Sequence, residues 1–232
     1  MKRILVTGGN GRFSQELKKI KSNYHFIFRD KKELNILSLN SIKKNIKKFK
    51  PNIVLHLAGL SRPMSIHSSN INKSIDLNII GTSNLVKICN NLKIKLIFFS
   101  TSYVYQGKKG NYNEEDPVQP WNNYGWSKLG AEAAVQMYKN SLIVRACMTE
   151  KPFIHKYAFS NVKSNFIFHD AFAKLFLKII NKRGIINIGG KSQTIYNFAK
   201  NTNVKVKKKL SKGEFPKKMD MNLKKLRNII SR

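Results

Sequence analysis

Tyr124 and Lys128 stand four residues apart in "NNYGWSKLGAEAAVQMYKN", a segment that otherwise reads as a helix. Four residues are about one helical turn, so the phenol and the amine share a face and can converge on one carbonyl or alcohol. A tyrosine becomes a usable proton donor and acceptor near neutral pH when its pKa falls from about 10, and a nearby ammonium lowers it electrostatically. Upstream, "FFSTSYVYQG" sets the hydroxyls of Ser100, Thr101 and Ser102 at the end of an apolar run. Near the start, "TGGNGRFS" spaces Gly8, Gly11 and Ser14 by three residues. Glycine there permits a tight turn and a close backbone approach to a pyrophosphate, and the N–H groups of the following helix attract negative charge. These three features together suggest proton transfer beside a bound dinucleotide.

Such side chains need a scaffold that brings distant segments to one edge. "RILVTG", "YHFIFRD", "NIVLHLAG", "KLIFFSTS" and "SLIVRACM" read as short, continuously apolar strands, with helical segments between them. That pattern predicts a parallel sheet covered on both faces: an α/β, Rossmann-type doubly wound fold. Ligands of such sheets bind at the carboxyl ends of the strands, where both the glycine turn and the Ser100–Ser102 hydroxyls fall. Beyond residue 148 the pattern loosens, with a loop-rich stretch, a helix in "HDAFAKLFLKIIN", a strand in "GIINIGG" and a terminal helix. The expected division is a dinucleotide-binding core over residues 1–146 and a small substrate-side lobe over 147–232, packed on the same body.

The chain has 232 residues and a net charge of +32, with 44 basic and 12 acidic residues. Only eight of the basic residues are Arg, and the Lys are spread from end to end. Base readout and bidentate phosphate clamping favour Arg, so the charge predicts no specific nucleic-acid partner but a positive potential that speeds capture of a diphosphate-bearing small molecule. No apolar stretch approaches the roughly 20 residues that span a bilayer, and the two cysteines, Cys89 and Cys147, are too few for a disulfide framework or zinc cage. A cytoplasmic protein without a metal site is expected. At the end of the second strand, Asp30 suits adenosine ribose hydroxyls, as in NAD(H), whereas Arg29, Lys31 and Lys32, with Arg12 in the glycine turn, suit the extra phosphate of NADP(H). The excess of cations favours NADP(H) over NAD(H).

"ILVTGGNG", "HLAG", "NIIGTSNL", "STSYVYQGKKGNYNEEDPVQPWNNYGWSKLGAE", "LIVRA" and "GIINIGG" resemble, in order, the motifs of extended short-chain dehydrogenase/reductases, above all the dTDP-4-dehydrorhamnose reductase branch of sugar-nucleotide enzymes, used in polysaccharide biosynthesis. The resemblance implies that Thr101 holds the substrate oxygen, Tyr124 is the general acid/base, and Lys128 binds the cofactor ribose and lowers the tyrosine pKa. It implies a cofactor site built from Gly8, Gly11, Arg12, Phe13, Ser14, Arg29, Asp30, Lys31, the pair Asn35 and Ile36, Leu57, Ala58, Gly59, Asn78 and Lys128. "FRDKKELNILS" is also similar to the corresponding stretch of GDP-fucose synthases, which use NADPH. The implied reaction is reduction of a nucleotide-activated 4-keto sugar by hydride transfer, in a possible homodimer. An epimerase or dehydratase with tightly bound NAD, or a non-catalytic dinucleotide-binding subunit, would carry the same motifs.

The segment after Arg145 is shorter than in full-length relatives of that kind. Substrate candidates are Arg62, Met64, His67, Ser102, Lys151, His155 and Asn165. The carboxylates of "NEEDP", Glu114, Glu115 and Asp116, read as a solvated turn, and His56 and His169 lack metal-ligand partners at useful spacing.

Overall fold

The computed structural model describes residues 1–231. Six strands, β1 (Lys2–Thr7), β2 (Tyr24–Arg29), β3 (Ile53–His56), β4 (Lys95–Thr101), β5 (Ser141–Ala146) and β10 (Gly184–Ile188), form one sheet in the order β10-β5-β4-β3-β1-β2. Every neighbouring pair is parallel. Because successive side chains of a strand point to opposite faces, Ile4 and Val6 enter one core and Leu5 the other. The first core lies under α1 (Arg12–Lys18) and α7 (His169–Ile179), where Phe13, Phe99, Phe172 and Phe176 meet in one aromatic cluster. On the other face Ile42 and Ile46 of α2 (Leu39–Phe49), Leu85 and Ile88 of α5 (Gly81–Asn91) and Val135 of α6 (Asn123–Gln136) cover Val54, Phe98 and Ile143. Each such side chain contributes about 1.5–3 kcal/mol when fully buried, which is why these strands read as unbroken apolar runs.

Between β3 and α5 the chain forms two single turns, α3 (Ile66–Ser69) and α4 (Ile71–Ser74), and then a π-helical turn, Ile75–Ile80. Four short strands follow β5: β6 (Met148–Thr149), β7 (Tyr157–Phe159), β8 (Lys163–Ser164) and β9 (Ile167–Phe168). After β10 come β11 (Gln193–Thr194), α8 (Ile195–Lys200), β12 (Lys207–Lys209) and α9 (Lys224–Ile230). Parallel β7–β12 and antiparallel β8–β11 pairs enclose a separate small core of Phe153, Val162, Ile195, Phe198 and Val206. The division expected at residue 146 does not follow the layers: α7 and β10 return to the sheet, because their apolar faces complete its first core and its β5 edge. The smaller lobe outside the sheet layers is therefore residues 147–168 together with 189–223, in two passes.

Glu114 is not part of a solvated turn. It is 7% exposed and its Oε1 accepts from the Asn187 N–H at 2.9 Å. Around it Arg145 forms a fork on Glu132, donating to Oε2 at 2.9 Å, and donates also to Tyr105 Oη and the Glu114 carbonyl at 2.9 and 3.2 Å. Asp116 pairs with Lys109 at 2.5 Å, so the acidic run is tied down at both ends. Among the described residues no helix is long and apolar enough to cross a membrane, and no group of three or more His, Cys, Asp or Glu could hold a metal ion.

Candidate active site

The strands' carboxyl ends open onto a cleft of about 830 Å³, lined on the sheet side by Arg12, Arg62, Ser100, Thr101, Ser102 and Tyr124. Arg12 joins this lining to the glycine turn that precedes it. Gly8 has φ +73, and a Cβ on it would lie 2.7 Å from the Ala58 nitrogen, so the turn packs directly on the chain leaving β3. The Gly11 N–H and the Ser14 hydroxyl both donate to the Gly8 carbonyl at 2.9 Å, which closes the turn. The first turn of α1 has no side-chain cap and no acidic residue; its N–H groups point at whatever lies over the turn. Phe13 contributes backbone only, since its ring is 6% exposed inside the aromatic cluster.

Thr101 ends β4, and its Oγ1 accepts from the Tyr103 N–H at 3.2 Å, starting a single 3₁₀ turn, Ser102–Val104. Helix α6 begins opposite, capped by Asn122, whose Oδ1 accepts from the Gly125 N–H at 2.8 Å. A Cβ on Gly125 would fall 2.5 Å from the Tyr103 carbonyl oxygen. Only glycine lets the helix start sit against that turn, and this contact brings Tyr124 beside Thr101. A second brace comes from Asn78 in the π-helical turn. Its Nδ2 donates to the Leu60 carbonyl at 2.9 Å and to Ser127 Oγ at 2.8 Å, its Oδ1 accepts from the Leu60 N–H at 2.7 Å, and Ser127 donates to the Tyr124 carbonyl at 2.8 Å. Both amide hydrogens of Asn78 are thus spent, and it is 1% exposed. It positions the site and is not a free cofactor ligand.

Burial raises the Tyr124 pKa above the ordinary phenol value, opposed by hydrogen bonding with Thr101 and by the fields of Arg62 and Arg12. Lys128 does not lower it as expected. One turn along α6 it lies deeper, 8% exposed, with Nζ 4.0 Å over the Phe98 ring. Burial brings its own pKa down to about 7, against the pull of Glu132, so it is only partly charged at neutral pH. The phenol therefore stays protonated through the neutral range. His56, brought down to about 3 by burial and by Lys128, is a neutral strut between Thr7 Oγ1 at 2.8 Å and Thr82 Oγ1 at 3.0 Å.

A family model described as "RmlD substrate binding domain" matches residues 1–149, well over half of the chain's 232 residues. The chain belongs to the RmlD substrate binding domain family. Over 143 residues this RmlD-family chain is 32% identical to methionine adenosyltransferase 2 subunit beta of Xenopus laevis, a match covering 58% of the chain and 42% of that protein. It is 25% identical over 193 residues to a dTDP-4-dehydrorhamnose reductase of Aggregatibacter actinomycetemcomitans, covering 81% of the chain and 60% of the relative. The chain thus spans less than two thirds of the length of these curated relatives. In three dimensions it matches the dTDP-4-dehydrorhamnose reductase of Bacillus anthracis, solved in complex with NADP, with a TM-score of 0.85 at 22% identity over 98% of this chain and 92% of that one. At that identity the match establishes the shared Rossmann-like fold.

The other sequence-derived positions of the RmlD-family chain divide in two. Arg62, Met64, Ser102 and His155 line the cleft. Lys151 lies outside its lining, 6.0 Å from the Phe168 ring centroid. Asn165 is 2% exposed and bonds to the Gly190 carbonyl and the Met221 N–H, holding two passes of the lobe together. His67 is 1% exposed behind Tyr124, ring centroids 5.0 Å apart, with Nδ1 2.7 Å from Ser74 Oγ; it backs the phenol and does not meet the cleft. Ile36 is buried against Gly81, while Asn35 is half-buried and caps the Leu37 N–H.

Sequence reasoning missed the opposite wall. Phe153, Tyr157, Phe159, Phe166 and Phe215 line it, and the aromatic density of "PFIHKYAFSNVKSNFIF" was the signal available. It also missed Glu150, whose Oε1 accepts from Arg12 at 2.5 Å and from Arg62 at 2.9 Å across the cleft mouth. Burial alone would raise the Glu150 carboxyl; its own backbone N–H, then Arg62 and Arg12, outweigh this and bring it down to about 2. Because the folded value lies below the unfolded 4.5, the bridge stabilises fully above pH 4.5 and is lost as pH falls from 4.5 to 2. Glu150→Gln is expected to cost about 1 kcal/mol above that window and nothing below it, measured by urea unfolding at a series of pH values. An equal difference at all pH values would deny the bridge.

Proposed function

We propose that the chain is an NAD(P)-dependent reductase of a nucleotide-activated 4-keto sugar. The observation that carries this reading is the meeting of Thr101 and Tyr124 in one cleft that is also lined by Arg12, the residue next to the uncapped glycine turn. A dinucleotide fits these residues: Gly8 and Gly9 leave backbone where a Cβ would collide with Ala58 and Arg29, and the Ser100 hydroxyl on the cleft wall is buried without a partner. Glycine turn and α1 N–H groups would hold its pyrophosphate, with Arg12 beside them, and Asn35, Leu57, Ala58 and Gly59 would border its adenosine and ribose groups. When bound, the nicotinamide supplies the hydride.

The chain's own residues do the rest. Thr101 hydrogen-bonds the substrate oxygen and steadies the charge that develops on it. Tyr124 donates its phenolic proton to that oxygen; a phenol held protonated by burial suits the reducing direction. Lys128, partly charged, would bind the ribose and return a proton to the phenol. Arg62, Met64 and His155 are placed to meet the sugar or its diphosphate, and the aromatic wall to pack against the nucleotide.

A second reading follows from the 32% identity to a subunit of methionine adenosyltransferase: a dinucleotide-binding subunit without turnover of its own. Mixing the chain with NADH or NADPH and a panel of nucleotide 4-keto sugars separates the two. The reductase reading expects stoichiometric dinucleotide oxidation with at least one sugar. Dinucleotide binding without oxidation by any of them would favour the subunit, and co-purifying NAD with interconversion of the sugars but no net oxidation would favour an epimerase.

A further inference from the structure

Two adjacent side chains at the end of β2 offer opposite solutions to the same task, and they turn in opposite directions. Asp30 faces the glycine turn: Asn10 Nδ2 donates to its Oδ2 at 3.0 Å, and its Oδ1 accepts from the N–H groups of Lys32 and Glu33 at 2.8 and 3.0 Å. Turn and strand end touch through their backbones. The Gly9 N–H donates to the Arg29 carbonyl at 2.8 Å, and a Cβ on Gly9 would lie 2.8 Å from the Arg29 nitrogen. Arg29 itself points away. Its guanidinium lies 4.4 Å over the Phe49 ring of α2, pairs with Glu33, and buries an Nε that has no partner.

We infer that the chain takes NAD(H) in preference to NADP(H), with Asp30, fixed by Asn10, as the specificity-determining residue; this rests on the dinucleotide reading above. A carboxylate offers about four acceptor positions, and the contacts from Asn10, Lys32 and Glu33 leave one for a ribose hydroxyl. A phosphate in the same place meets like charge at short range. Arg29 could answer that phosphate only by leaving both Glu33 and Phe49. Lys31 and Lys32 are exposed, where water screens their charge. The preference expected from the cation-rich sequence is thereby reversed: counting charges near Asp30 ignores that both arginines among them are already engaged, Arg29 by Glu33 and Phe49 and Arg12 by Glu150.

Calorimetric titration of the full chain with NADH and with NADPH tests this. NADH is expected to bind at least about tenfold more tightly. In Asp30→Asn, which keeps the turn's acceptor but removes the charge, the ratio should fall to within about threefold of unity, through weaker NADH and tighter NADPH binding. Arg29→Ala should leave the ratio within about twofold of the parent's. Equal or tighter NADPH binding by the parent chain, or a selective loss of NADPH in Arg29→Ala, would overturn the inference while leaving the dinucleotide reading intact. Binding of neither nucleotide would overturn both.

Discussion

Tyr124→Phe is expected to lower turnover by about 10²–10⁴-fold while nucleotide affinity stays within about twofold of the parent's. The phenyl ring keeps its packing against His67 and Tyr103, whose ring centroids lie 5.0 and 5.9 Å from it, so the cleft keeps its shape and loses only the hydroxyl. That hydroxyl lies in the cleft beside Thr101 with its proton held in the neutral range. Steady-state kinetics with calorimetric titration of the same preparation checks both halves. A mutant turning over at the parental rate would remove Tyr124 from the chemistry, and a large loss of affinity would make its part structural.

The second large effect falls on stability. Arg145→Met is expected to cost about 3–5 kcal/mol, because it leaves Glu132, fully buried, without its counter-charge and strips hydrogen bonds from Tyr105 and the Glu114 carbonyl. Helix α6 carries both Glu132 and Tyr124, so this buried pair anchors to β5 the element that presents the phenol. Adding Glu132→Gln should recover much of the loss, since it removes the stranded charge. Urea unfolding of the single and double variants measures this coupling. Additive costs would mean that the two side chains do not act as a pair.

The sheet could be read from the sequence because its strands are buried on both faces. "RILVTG" and "KLIFFSTS" carry no polar alternation to confuse them with surface strands, and each is followed by a turn or helix signal. The glycine turn was legible for the same reason, since it lies at a strand end, where topology fixes position; the pairing of Thr101 with Tyr124, at the start of α6, was implied by the family resemblance. Depth was not legible. A four-residue spacing puts Lys128 on the face of Tyr124, but only the packing of α6 on β4 sets its amine over Phe98, where burial weakens it as a cation. Nor were contacts between distant segments. Glu150 meets Arg12 and Arg62 across 138 and 88 residues, and Glu114 meets Asn187 across 73. A carboxylate in a polar loop looks solvated until the fold supplies its donors. Asp30 and Arg29 show the same limit at closer range, since residue type fixes what each could bind and only geometry fixes which is free.

The most direct test is a crystal structure of the chain grown with NADH. The account expects the pyrophosphate over Gly8–Arg12, the adenosine ribose at Asp30, and the nicotinamide in the cleft with the Tyr124 oxygen turned toward it beside Thr101. A dinucleotide seated elsewhere, or a Tyr124 hydroxyl turned out of the cleft with NADH in place, would contradict it.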